Sequence, residues 1–84
     1  MRRIEKGWLV IESIEDETAS HCVDIFRRTD GSFGFEHFRR DPEDQGRWTP
    51  LAYYSNARFE DEASARTSAL QSVSWLGERM ERRA

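Results

Sequence analysis

Three groups of side chains in this 84-residue sequence have types and spacing from which a site could be built. The block Asp41–Pro42–Glu43–Asp44 places three carboxylates within four residues, and a hard cation such as calcium collects about six to eight oxygen ligands. The spacing of a calcium-binding loop is missing, however. An aspartate followed by proline and further acids is how a short helical turn begins, with a capping side chain, a preset φ and negative charge near the positive end of the peptide dipoles. Arg39, Arg40 and Arg47 flank the block, which is therefore read as a locally neutralised turn. His21 and His37 fall on adjacent expected strands and on one face, close enough to share a metal. Zinc takes about four ligands, or three and a water, and Cys22 points to the face opposite His21. A half-buried, hydrogen-bonded histidine pair is expected, with no metal. Asp24 and Glu36 face each other on the reverse side, but acid/base pairs work in clefts that drive their pKa values apart. An open sheet face gives them no cleft. Cys22 lacks a histidine on its own face to activate it, and the five glycines are too scattered for a phosphate loop. No catalytic, cofactor-binding or metal-ligating residue is assigned and no enzyme activity is expected, a metal-dependent or small-molecule enzyme being the last of the alternatives.

Positioning these groups falls to five apolar segments. Residues 7–14 (GWLVIESI), 21–28 (HCVDIFRR), 32–39 (SFGFEHFR) and 48–55 (WTPLAYYS) are short and rich in β-branched and aromatic residues, as strands are. Pro50 cannot donate to a ladder, which puts the fourth strand at a sheet edge or marks a bulge or a late start. Thr29, Asp30 and Gly31 form the strongest local signal, a hairpin loop with glycine where φ must be positive. A two-residue loop would mix both faces of the ribbon. A three-residue loop with a glycine bulge brings Val23, Ile25, Phe33 and Phe35 to one face, and burial selects that register. The reverse face then carries Cys22, Asp24, Phe26, Arg28, Glu36 and Phe38, expected as an open, charged surface.

After Asn56 the pattern turns helical. Asp61 suits the N-cap, Phe59 can pack back as a staple, and the arginines at 79, 82 and 83 suit the negative end of the dipole. Phe59, Ala63, Leu70, Val73, Gly77 and Met80 align in one stripe flanked by Ala69 and Leu76, with Arg66 inside it and obliged to snorkel. Gly77 is expected to stop the helix near Leu76, leaving residues 78–84 as a frayed or separately helical tail. The assembled expectation is an α+β two-layer sandwich, a four-stranded antiparallel meander (ββββα) with one C-terminal helix packed across one face.

A chain this short makes one domain, 1–84, with a thin core. It is 37% hydrophobic and 35% charged, so a deep enzyme interior is not expected. The net charge of −3 argues against a generic polyanion binder. A single cysteine leaves no internal disulfide, and the apolar run from Trp8 to Ile11 is too short for a signal core or a membrane span. A cytoplasmic location, away from membranes, is expected.

The run from Phe38 to Trp48 (FRRDPEDQGRW), with Thr49–Pro50, Tyr54–Ser55, Phe59 and Trp75–Leu76, resembles an uncharacterised family of small proteobacterial proteins. That family carries an FRRDPEDxGxWTP block and a terminal Trp-Leu. The resemblance implies a small bacterial sheet-plus-helix protein, and it transfers no catalytic or binding residue.

The remaining residues support two interaction readings. Phe26, Phe38, Trp48 and Trp75 are large aromatics expected at the surface, and such residues mark contacts. A non-catalytic protein–protein interaction module is expected, with a homodimer as the commonest form of such an interface. The alternative is a nucleic-acid-binding module in which Arg28, Arg39, Arg40 and Arg47 flank aromatics that stack bases. Acids interrupting every basic run weigh against it.

Overall fold

The computed structural model describes residues 7–40, 47–51 and 54–83. The Asp41–Pro42–Glu43–Asp44 turn lies outside the described residues. Four strands, β1 (Leu9–Glu15), β2 (His21–Arg27), β3 (Phe33–Arg40) and β4 (Trp48–Pro50), pair antiparallel in chain order. A 3-10 turn (Tyr54–Asn56) and two helices, α1 (Glu62–Ser72) and α2 (Leu76–Arg83), come after them. The expected meander and α+β class are the observed ones. Among the described residues, no helix is long and apolar enough to cross a membrane.

The β2–β3 hairpin adopts the three-residue loop. Arg28 N–H donates to the Ser32 carbonyl at 2.8 Å, Gly31 N–H donates to the Arg28 carbonyl at 3.0 Å, and Gly31 sits at φ 88°. That left-handed backbone is strain-free only for glycine. Ile25 therefore faces Phe35 and Val23 faces His37. The core is Ile14, Val23, Ile25 and Phe35 from the sheet against Ala65, Ala69, Val73 and Leu76. Each large aliphatic or aromatic side chain so buried contributes about 1.5–3 kcal/mol.

The helical layer differs from the sequence expectation in two ways. Its buried row is Ala65, Ala69, Val73 and Leu76, roughly a quarter-turn from the expected stripe. Ala63 and Leu70 are exposed. The cause is Phe59, which is not helical. It exchanges two backbone hydrogen bonds with Phe33, at 2.9 and 3.0 Å, and so belongs to the edge of the sheet. Alanines then let α1 approach a sheet whose own side chains are bulky. Asp61 does cap α1, accepting from Ser64 N–H at 2.7 Å. Second, α1 ends at Ser72, earlier than expected, when Val73 turns extended (φ −114°, ψ 106°). Gly77 lies within α2 rather than stopping a helix. Of the two expected forms of the tail, the separately helical one is observed, but it begins at Leu76, before Gly77 rather than after it.

The reverse face of the sheet also departs from expectation. Its members are those the register requires, but it is closed. Phe26 is 0% exposed and Phe38 1%, while Asp24, Arg28 and Glu36 are buried too. Trp8 stacks on Phe26, with ring centroids 5.0 Å apart, and the chain after β4 returns along the edge of β3 to rest on Glu36 and Arg28. The fourth strand is shorter than the expected 48–55, because the chain bends away after Leu51 N–H donates to the His37 carbonyl.

Gly34 occupies the one place on this face where a side chain has no room. A Cβ there would stand 2.9 Å from Arg28 Nη2 and 2.9 Å from two carbons of the Phe26 ring. Gly34→Ala is expected to cost about 1–3 kcal/mol by overpacking, read as a lower urea midpoint. An unchanged midpoint would show that the ring and guanidinium have slack.

Candidate functional site

The densest polar arrangement lies on the closed face, at the hairpin end. Arg28 and Glu36 grip the 3-10 turn from opposite ends. The Glu36 carboxylate accepts N–H bonds from Tyr54 at 3.2 Å and Ser55 at 3.1 Å, and from its neighbour His37 at 3.0 Å. The Arg28 guanidinium donates to the carbonyls of Ser55, Ala57 (3.1 Å) and Phe33 (3.0 Å) and to Ser32 Oγ at 3.3 Å. Negative charge thus meets the N–H end of the turn and positive charge its carbonyl end, as the peptide dipoles favour. Arg28 also lies over the rings of Trp8 and Phe26, 4.8 and 5.0 Å from their centroids. Burial, with the Arg58 charge nearby, pulls its guanidinium below the usual range, yet arginine remains charged. Most of these hydrogen bonds go to backbone, and the pattern is structural.

Asp24 and Glu36 are direct cross-strand partners, as expected, but both are buried rather than solvated. Their carboxylates serve different neighbours. Asp24 Oδ1 accepts from Ser13 Oγ at 2.7 Å and from Cys22 Sγ at 3.2 Å. The Cys22 thiol is fully buried, and no histidine shares its face.

On the helix-covered face, at the other end of the ribbon, His21 and His37 form the expected pair. His21 Nδ1 and His37 Nε2 are 3.1 Å apart, so one ring donates to the other. Trp75 packs against both, edge-on to His37 at 5.7 Å and tilted 6.4 Å from His21. The break between α1 and α2 turns this indole inward, so Trp75 is half-buried instead of free at the surface. Its Nε1–H is buried and meets no acceptor among the described residues. Beside it opens a shallow cleft of about 270 Å³ lined by Asp16, Glu17, Thr18, Trp75, Glu78 and Arg79. Asp16 is already engaged, accepting from Thr18 Oγ1 and from the N–H groups of Ser20 and His21. No group of three or more His, Cys, Asp or Glu gathers at metal-binding distances among the described residues.

The residues expected to meet a partner do not share a surface. Phe26 and Phe38 are interior, Trp48 is half-buried beneath the Arg40 guanidinium at 4.9 Å, and Trp75 lies on the opposite face against the histidines. The arginines are separated as well. Arg27 pairs with Phe33 at one end of the ribbon, while Arg39 pairs with His21 at the other, because neighbouring strands run in opposite directions. Arg28 is committed to the turn. Arg40 donates to the Ala19 carbonyl at 2.8 Å. Arg39 and Arg47 are exposed, so the expected base-stacking array is not assembled.

A feature that the residue pattern alone did not single out is the apolar start of β1. Leu9, Val10 and Ile11 are 63%, 40% and 37% exposed, consecutive on the strand that is outermost among the described residues. A β-bulge falls among them, between Val10 and Glu12. Three adjoining apolar residues on the first strand of a meander were the available signal. Compared with known proteins, the chain matches no family model, no curated protein and no solved structure.

Two measurements test the buried groups. Glu36→Gln turns an NH₂ donor toward N–H donors and is expected to cost about 1–3 kcal/mol, with faster amide exchange at Tyr54 and Ser55; unaltered exchange there would refute the grip on the turn. Burial, and secondarily the neighbouring His21, hold His37 below its ordinary imidazole value. The unfolded chain then binds the proton first. Stability is expected to fall as pH drops below about 6.5 toward the lower folded value. His37→Leu is expected to flatten that slope in urea titrations at about pH 7.5 and 5.5.

Proposed function

We propose that this chain is a non-catalytic protein–protein interaction module of the bacterial cytoplasm, presenting the edge of β1 to its partner. One observation carries this reading: β1 is the outer strand among the described residues, and it bears Leu9, Val10 and Ile11 exposed side by side. Exposed apolar residues on an edge strand recruit another extended segment, and the bulge at Ile11 with Glu12 beyond it confines that surface to these three residues. The chemistry-bearing residues inside the domain support the same reading, since Arg28 and Glu36 are consumed in holding backbone and Asp24 in hydrogen-bonding Ser13 and Cys22. The Phe38-to-Trp48 block that resembles the small proteobacterial family is consistent with that setting.

The test compares the natural chain with Val10→Lys/Ile11→Lys, both shown folded by circular dichroism. Self-association and co-purification of host proteins are measured side by side. The double variant is expected to lose the associations the natural chain makes; associations indifferent to both lysines would overturn the reading.

A further inference from the structure

We infer that His21, His37 and Trp75 form an acid-sensitive latch, in which a second proton on the histidine pair releases Trp75 and α2 from the sheet while β1, β2 and β3 stay paired. The inference stands apart from the interaction-module reading. One hydrogen bond joins the rings, between His21 Nδ1 and His37 Nε2 at 3.1 Å. It needs one ring nitrogen that carries a proton and one that does not. With a single imidazolium in the pair, the charged ring still donates to the neutral one. A second proton sets N–H against N–H and two positive charges side by side, so the rings must part. The backbone ladder between β2 and β3 holds the two strands together. The covering that can yield is Trp75, edge-on to His37 at 5.7 Å and tilted 6.4 Å from His21.

The segment that carries Trp75 is lightly moored. Val73 is extended, at φ −114° and ψ 106°, which makes a hinge between α1 and α2. Helix α2 has 8 residues, too few to hold helical shape alone. It is anchored by the buried Leu76, the half-buried Met80 and the Arg79 Nε–H donating to the Glu15 carbonyl at 2.9 Å. Helix α1, by contrast, is capped by Asp61, buries Ala65 and Ala69, and is bonded through Arg66 to Glu12 on β1. The buried Trp75 Nε1–H meets no acceptor among the described residues, so release into water gives it the hydrogen bond that the closed state lacks.

The surrounding charges let the pair take one proton and resist two. From the β1–β2 turn, Asp16 accepts the His21 backbone N–H, and on β3 the Glu36 carboxylate accepts that of His37. Both carboxylates favour a first positive charge. Arg39 is the cross-strand partner of His21, Glu15 ends β1, and Glu17, Glu78 and Arg79 line the cleft beside Trp75. On α1, Glu62 and Arg66 are bound to each other, and β4 (Trp48–Pro50) has no charged residue. Burial, and then the charge of His21, hold His37 below its ordinary value, so the open state binds the second proton more readily than the closed one.

The experiment is hydrogen exchange followed by NMR at about pH 7.5 and 5, with each rate referred to the intrinsic rate at that pH. The Trp75 indole N–H and the Met80 amide report on the latch. The amides of β2, which lies between β1 and β3, report on the sheet. Acidification is expected to lower protection at Trp75 and Met80 about tenfold, and to lower it less in β2. His37→Gln and His21→Gln each keep a hydrogen-bonding side chain and remove one titrating ring, and each is expected to leave Trp75 protected at the lower pH. Protection lost in step at Trp75 and in β2 is unfolding of the whole chain and overturns the latch. Unchanged protection at Trp75 in the natural chain overturns it too, as does an acid response that persists in whichever variant circular dichroism shows to be folded.

Discussion

The fold hinges on two buried charges that do not pair with one another but divide a single turn between them. Glu36 holds the amide end of the Tyr54–Asn56 turn and Arg28 holds the carbonyl end. Isolated buried charges are costly. Here each is offset by several charge-assisted hydrogen bonds to backbone groups that would otherwise be stranded against the sheet. That grip sets the path of the chain beyond it. The turn delivers Phe59 to its two-bond bridge with Phe33, the bridge leaves Asp61 extended and ready to cap, and α1 starts in the phase that lays Ala65 and Ala69 over Ile25 and Phe35. Gly34 belongs to the same unit, since the space it leaves empty is filled by Arg28 and Phe26.

How much of this could be read from residues alone depends on whether a signal is local. The Thr29–Asp30–Gly31 loop is local, and it gave the hairpin register, the faces of Val23, Ile25 and Phe35, and the juxtaposition of His21 with His37. Asp61 as N-cap is local too. The closed reverse face was not legible, because Asp24, Arg28 and Glu36 are side chains that normally mean water. For Arg28 and Glu36, satisfaction comes from backbone 18 to 29 residues further along the chain. The helical stripe was misphased by counting Phe59 as helical, a residue whose β-bridge is a tertiary fact. Trp75 was placed in solvent by a wheel that assumed an unbroken helix, and the turn at Val73 rotates it onto the histidines. The four arginines offered as one base-stacking set are divided, because antiparallel order puts Arg28 at the hairpin end and Arg39 at the other.

These departures share a direction. Residues that looked available for partners were drawn inside, and the only long apolar strip left to the described surface lies at the sheet margin, on β1. A heavily charged sequence has thus used some of its ionic side chains as interior scaffolding. The ordinary aliphatic residues Leu9, Val10 and Ile11 remain where contact with another molecule can occur.

The grip of Arg28 on Ser55 and Ala57 also orders events during biosynthesis. Residues 9–40 complete three strands through short connections, which close quickly. The segments that roof either side of that ribbon, the 3-10 turn and both helices, leave the ribosome afterwards. For that interval the nascent ribbon shows Ile25 and Phe35 without their helical cover, and Arg28 without its bonds to Ser55 and Ala57. Residues 54–76 carry the partners of Phe35 and the Ser55 and Ala57 carbonyls that Arg28 holds, so neither is complete until that part of the chain is made.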